Sequence, residues 1–162
     1  MFSMRVFLGM LSVLFSSVLA FAGEGVICGQ VSLVRDGDSI QVRSEGKRYE
    51  VRLYGIDAPE YQQRGAFISK QRLKDLLLGE SVKITIVDKD RYDRLVAIVS
   101  SNGIIVNEMM IEQGMAWVYS RYCHKPVCRD WKKEERKAKL AQRGIWREKH
   151  PIPPWVWRHR KK

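Results

Sequence analysis

Asp57 and Glu60 flank Ala58-Pro59 at the end of the run Val51-Arg52-Leu53-Tyr54-Gly55-Ile56. A strand end is a rigid mount for acids. Pro59 fixes its own φ and pushes Ala58 toward extended backbone, so the gap between the two carboxylates is constrained. An ordinary polar loop carries the same residue types without that constraint. Upstream, Asp36-Gly37-Asp38-Ser39 sets a glycine between two further acids, a pattern that alone describes a tight turn. Two arginines interrupt apolar runs: Arg52 between Val51 and Leu53, and Arg94 before Leu95-Val96-Ala97-Ile98-Val99. Arginine is seldom buried without a partner. Each therefore pairs with a carboxylate or points into a cleft, and Asp38, Asp57 and Glu60 are the acids to pair with.

Three converging acids repel one another and call for a cation or raised pKa values. Carboxylates, a backbone carbonyl and water suit Ca²⁺ or Mg²⁺ rather than zinc. Acids, a hard cation and two guanidinium groups describe a site for phosphodiester cleavage. The metal neutralises the phosphate, the arginines bind its oxygens in pairs and stabilise developing charge, and a carboxylate orients or deprotonates water. In a regular strand Arg52 and Asp57 face opposite ways. A bulge or twist near Gly55 is required to bring them together.

The elements that must position these groups are mostly strands in the first half. Val26 to Val34 is rich in β-branched residues, and Ser39 to Arg43 resumes the pattern after Asp36-Gly37-Asp38. Ser44-Glu45-Gly46-Lys47 reads as a hairpin turn returning through Arg48 to Gly55, which completes a three-stranded meander. Ala66, Leu73 and Leu77 fall at helical spacing, with Gly79 as the stop. Ser81 to Lys89 alternates, Asp90 to Asp93 turns, and Leu95 to Val99 is an apolar strand before the Asn102-Gly103 turn. Val106 to Gln113 is expected to be a helix with Asn107 as its N-cap and Met109 and Met110 as core filler. A last helix starts at Val127 or Trp131 and runs to Arg143, with Gly144 as its end. Three strands, a helix, two strands and further helices make an α+β chain, mainly β: a five-stranded OB-fold barrel with about three helices. Such barrels commonly bind oligonucleotides, but fold does not fix function.

The chain has 162 residues, 45% hydrophobic and 29% charged, which suits one domain and excludes a disordered or collagenous chain. A formal charge of +11 asks for an anionic partner such as nucleic acid, anionic lipid or acidic polysaccharide. The N-terminus has Arg5, an apolar stretch from Val6 to Leu19, and Ala20-Phe21-Ala22 before Gly23. This reads as a secretory signal peptide over 1–22, with a secreted or periplasmic product and no stable membrane insertion after cleavage. That compartment permits disulfides. Cys123 and Cys128 flank a short loop and favour a local bridge, with Cys28 free or buried. Zinc held by those two cysteines and His124 is a cramped rival.

Three segments resemble the signatures of the staphylococcal nuclease (thermonuclease) family. They are Val34-Arg35-Asp36-Gly37-Asp38-Ser39, Arg52 through Glu60, and Asp90-Arg91-Tyr92-Asp93-Arg94. Val106-Asn107-Glu108, Gly114 to Tyr119 and Arg143-Gly144-Ile145-Trp146 resemble its downstream segments. The resemblance implies an OB-fold over 23–148 and Ca²⁺-dependent hydrolysis of DNA and RNA by a monomer, with little sequence preference and 3′-phosphate products. By motif, Asp38, Asp57 and the Ala58 carbonyl resemble the calcium ligands, and Glu60 the residue that positions or activates water. Arg52 and Arg94 resemble the phosphate-binding arginines, and Arg91, Tyr92 and Tyr119 substrate contacts. The chain departs from the family pattern where Ala58 stands for threonine, where Ser39 conservatively replaces threonine, where Asp93 stands in a position at which glycine is common, and in the Cys123–Cys128 loop and the Pro/Trp tail. A non-catalytic OB-fold nucleic-acid-binding module is the alternative, and the presence of Asp38, Arg52, Asp57, Glu60 and Arg94 together argues against it. A membrane-active protein is disfavoured, because the apolar stripe of 127–143 is too thin.

Residues 149–162 form a Pro/Trp-rich basic tail. Extended proline backbone would set Trp155 and Trp157 on one side. Either the tryptophans dock on the barrel and leave the basic end solvated, or they stack on bases while the cations follow phosphates.

Overall fold

The computed structural model describes residues 25–160. The segment 1–22, expected from the sequence to be a signal peptide, lies outside the described residues. Strand β1 (Val26–Val34) pairs antiparallel with β2 (Ser39–Ser44), and β2 with β3 (Lys47–Leu53), as the meander required. Strand β4 (Ile56–Asp57) follows a turn at Tyr54-Gly55. Helix α1 (Ala66–Leu77) leads to β5 (Ser81–Lys89), which pairs antiparallel with both β1 and β6 (Leu95–Ser101). A parallel pairing of β3 with β6, Val51 opposite Leu95 and Arg52 opposite Val96, closes the five-stranded barrel. Register shifts in β1 between Val31 and Leu33, and in β5 between Ile86 and Asp88, add the local bend that closure needs.

Beyond the barrel come β7 (Ile104–Ile105), α2 (Val106–Glu112), β8 (Trp117–Val118, paired with β4), α3 (Val127–Leu140) and a 3-10 turn at Gly144–Arg147. The barrel interior is filled by Val31, Ile40, Val42, Val51, Leu53, Ile84, Ala97 and Val99, all buried. Leu73 and Leu77 of α1, Met110 and Ile111 of α2 and Trp131 of α3 join the same core. Among the described residues, no helix is long and apolar enough to cross a membrane.

Three expectations about helices are corrected. Asn107 does not cap α2. It is buried within the helix, where its Oδ1 accepts the Val99 N–H at 2.9 Å and its Nδ2 donates to the carbonyls of Tyr54 at 3.0 Å and Ala97 at 3.2 Å. Helix α3 stops at Leu140 rather than Arg143, and Gln142 then takes a left-handed φ of 50°. The tail is not extended: Pro154–Arg160 forms a helix, α4, with Pro154 in the first position, where a missing N–H costs nothing.

Cys123 and Cys128 are bonded to each other, which removes the zinc alternative, and Cys28 is free and exposed. The Tyr54 hydroxyl accepts the N–H groups of His124 at 2.7 Å and Lys125 at 3.0 Å, which fastens the bridged loop to the β3–β4 turn.

Candidate active site

The Asp36-Gly37-Asp38 turn is closed by the Asp38 N–H donating to Asp36 Oδ1 at 3.0 Å. A side chain at Gly37 would collide with Ser69 of α1 and meet the Ala58 Cβ at 2.7 Å, so glycine lets this turn lie against the β4 exit. Asp38 is thereby buried with both oxygens engaged. Its Oδ2 accepts the Ala58 N–H at 2.7 Å, and its Oδ1 accepts the Ser39 hydroxyl at 3.1 Å and pairs with Arg52 Nη1.

Arg52 reaches across the β3–β4 turn. Its Nη2 donates to Asp57 Oδ1 at 2.8 Å and to the Ile56 carbonyl at 3.2 Å. Burial lowers the Arg52 pKa, and the Asp57 charge opposes that pull. Arginine stays cationic throughout the working pH range. Asp57 is 1% exposed, so its charge must be matched, and it is.

Glu60 is placed by a small ring of hydrogen bonds. Its N–H donates to Gln63 Oε1 at 3.1 Å, and the Gln63 N–H donates back to the Glu60 carbonyl at 2.7 Å. The Glu60 side chain is 39% exposed.

Arg94 precedes β6, on the other side of the β3–β6 seam. It does not bond to Asp38, Asp57 or Glu60. Its Nε donates to Asp90 Oδ2 at 2.8 Å, and Asp90 Oδ1 also accepts the N–H groups of Tyr92 at 2.9 Å and Arg94 at 3.1 Å. Burial pushes the Asp90 carboxyl up, but these hydrogen bonds and the Arg94 charge outweigh it, so its pKa lies below the ordinary value. Asp93 has a left-handed φ of 67°, which accounts for a glycine being common there, and its carboxylate pairs with Lys89 rather than Arg94. Tyr92 is exposed, with the guanidinium groups of Arg91 and Arg94 over its ring at 4.8 and 5.7 Å.

Asp38, Arg52, Ala58, Glu60, Arg91, Tyr92, Arg94 and Tyr119 all line one broad groove, and Asp57 lies beneath it through its bonds to Arg52. The three acids therefore gather around two guanidinium groups, while Arg94 lines the same groove paired with Asp90. The second of the two guanidinium groups belongs to Arg158 of α4, which spacing alone did not reveal. Arg158 Nη2 donates to Asp57 Oδ2 at 2.9 Å, and Nη1 to Asp57 Oδ1 at 3.2 Å and Glu60 Oε1 at 2.5 Å. Burial lowers its pKa, but the two carboxylates more than compensate and hold it above the ordinary arginine value. Trp155 lies flat on Tyr119, with centroids 5.1 Å apart and planes 2° apart, and it also packs on the cluster of Trp117, Ala138, Ile145 and Trp146. The tryptophan docking reading holds for Trp155, but Arg158 is paired with Asp57 and Glu60 rather than left free in solvent. Tyr61, Phe67 and Lys70 extend the groove wall, and the first two are strongly exposed.

The donors suit a hard cation in kind, since Asp38, Asp57, Glu60 and the Ala58 carbonyl offer only oxygen. The Asp57–Glu60 pair already holds a cationic group, which shows that the cluster accepts positive charge. Among the described residues, no three His, Cys, Asp or Glu side chains stand in a metal-binding array while Arg158 is seated there.

Residues 50–148 match the family model described as staphylococcal nuclease homologue. The chain belongs to the staphylococcal nuclease family. Among relatives in sequence, one named an uncharacterized endonuclease of Escherichia coli O157:H7 is 40% identical over 136 residues, covering 83% of this chain and 87% of the relative. An uncharacterized endonuclease of Haemophilus influenzae is 34% identical over 163 residues, covering 100% and 89%. A micrococcal nuclease of Shigella flexneri is 34% identical over 143 residues, covering 83% and 82%. The nuclease-family match includes Arg52, Asp57, Glu60, Arg94 and Tyr119, and it stops before Arg158.

Proposed function

We propose that this chain is a secreted or periplasmic, monomeric nuclease that hydrolyses DNA and RNA with Ca²⁺, shows little sequence preference and leaves 3′-phosphates. The observation that carries the reading is the groove itself. Arg52 of β3 and Arg94, which immediately precedes β6, line it together with Asp38 and Glu60, and Asp57 lies beneath through its bond to Arg52.

Asp38, Asp57 and the Ala58 carbonyl would hold the ion. When bound, Ca²⁺ neutralises phosphate charge and polarises the phosphorus–oxygen bonds. The remaining work falls to side chains. Arg52 and Arg94 bind non-bridging phosphate oxygens and stabilise the charge that builds on them as water adds. The Asp38 and Asp57 pairing keeps the Arg52 guanidinium oriented, and Asp90 does the same for Arg94. Glu60 orients the attacking water and accepts its proton. Water oxygen bonds to phosphorus, the bond to the 5′-oxygen breaks, and that oxygen leaves as a hydroxyl after taking a proton. The phosphate stays on the 3′ side. Tyr92 and Tyr119 offer faces to bases, and Arg91 offers charge to the backbone, contacts that read no sequence.

The test is digestion of labelled single- and double-stranded DNA and RNA with Ca²⁺, Mg²⁺ or chelator, followed by end-group analysis. Cleavage with Ca²⁺ that yields 3′-phosphates is expected. Full turnover in chelator, or 5′-phosphate ends, overturns the reading.

A further inference from the structure

The tail covers the part of the groove that the proposed reaction needs. Asp57 offers its two oxygens to the Arg158 guanidinium, and Glu60 receives a third bond from the same group. A divalent cation seated on Asp57, which already carries Arg52 on Oδ1, would face Arg158 as a like charge at short range, in a pocket where Asp57 is 1% exposed. The same helix sets the Trp155 indole flat on Tyr119, which is how a nucleobase stacks on an aromatic side chain. One element thus takes a cation's place and a base's place together.

The tail is fastened at its start and looser at its end. Gln63 Nε2 donates to the Ile152 carbonyl at 2.5 Å, and Pro154 is buried. The Arg158 side chain is 40% exposed, and His159 and Arg160 are exposed. A seven-residue helix is too short to persist alone, so its docking depends on its contacts with the rest of the chain, among them the Arg158 ion pairs and the Trp155–Tyr119 stack.

We propose that α4 is a tethered competitor of the active groove: Arg158 occupies the carboxylates in place of a divalent cation, Trp155 occupies Tyr119 in place of a base, and the ion and nucleic acid bind when the helix lifts. This rests on the nuclease reading given above. A ligand that binds only the open form has its apparent affinity reduced by the fraction of molecules that are open.

The experiment compares the full chain with Arg158→Ala, Arg158→Gln and Trp155→Ala. Ca²⁺ binding is measured by calorimetry without nucleic acid. Helix release is followed in the unaltered chain by near-UV circular dichroism of the Trp155–Tyr119 stack and by trypsin cleavage at Arg158. Nuclease rates are taken across a Ca²⁺ titration. The variants are expected to bind Ca²⁺ about tenfold more tightly, a gain that would correspond to a helix docked about nine-tenths of the time. Their turnover at saturating Ca²⁺ is expected to equal that of the unaltered chain, in which Ca²⁺ abolishes the stacking signal and speeds trypsin cleavage at Arg158. Unchanged Ca²⁺ affinity in folded Arg158→Gln overturns the proposal. So does a loss of turnover at saturating Ca²⁺, which would make Arg158 a working part of the site. If the variants bind Ca²⁺ more tightly and no protein cuts nucleic acid, the competitor stands and the nuclease reading falls.

Discussion

Arg52 and Asp57 are five positions apart, and their side chains meet with Nη2 at 2.8 Å from Oδ1. A regular strand would send them to opposite faces. Gly55 makes the meeting possible by taking a φ of 72° between β3 and β4. The Tyr54 N–H donates to the Ala97 carbonyl at 2.7 Å, and the Gly55 carbonyl accepts the Tyr119 N–H at 2.8 Å, so the turn is held on both sides.

The first prediction concerns that glycine. A Cβ at position 55 would stand 2.6 Å from Cys123 Sγ and 3.0 Å from Trp131 Cζ3. Gly55→Ala therefore combines a left-handed conformation with a clash, and it is expected to cost about 2–4 kcal/mol. Thermal unfolding with nuclease assays on the folded fraction checks this, and a wild-type Tm with wild-type turnover would remove Gly55 from the argument.

Two acids of the groove are expected to separate stability from chemistry. Asp57→Asn leaves the buried Arg52 short of a charge and is expected to cost about 3–5 kcal/mol together with activity. Glu60→Gln touches a partly exposed side chain and is expected to keep stability within about 0.5 kcal/mol. Its turnover should still fall at least about 100-fold. Urea unfolding beside kcat measurement distinguishes them, and a fully active Glu60→Gln rules out the proton-accepting role.

Acid should loosen the segment that carries Arg91, Tyr92 and Arg94. The Asp90 carboxyl has a depressed pKa in the fold, so its contribution is complete above the unfolded value of about 4 and is lost as pH falls through the lower folded value. The backbone amide signals of Tyr92 and Arg94 are expected to titrate below about pH 4, since both donate to Asp90. Asp90→Asn should abolish that titration and raise KM at neutral pH. Amide shifts that stay flat through the acid range would show that Asp90 does not hold the loop.

The Cys123–Cys128 bridge closes a short loop whose N–H groups rest on the Tyr54 hydroxyl. Replacing both cysteines by serine is expected to lower stability by about 2 kcal/mol, the chain-entropy value for so small a ring. Unfolding with and without reductant should give the same loss in the unaltered chain and no change in the double variant.

Much of the barrel is legible in the chain because its strands carry period-two patterns and its turns carry Asp36-Gly37 and Glu45-Gly46. The groove acids and arginines stand out for a similar reason: charges set into apolar runs need partners. Asn107 misleads because a polar residue at a helix start is ordinarily a cap, whereas here three backbone groups from β6 and the Tyr54 turn require it in the core. The tail misleads because three prolines suggest extended chain, yet the last of them starts a helix. Arg158 meets Asp57 across 101 positions, and no local pattern encodes such a pairing.

The parallel seam between β3 and β6 has a practical result. Arg52 and Arg94 become neighbours only when two segments distant along the chain lie side by side. A half-built molecule therefore carries no scissors. Recovery of cutting during refolding should track the last long-range strand pairing, which turns substrate loss into a clock for completion of the fold.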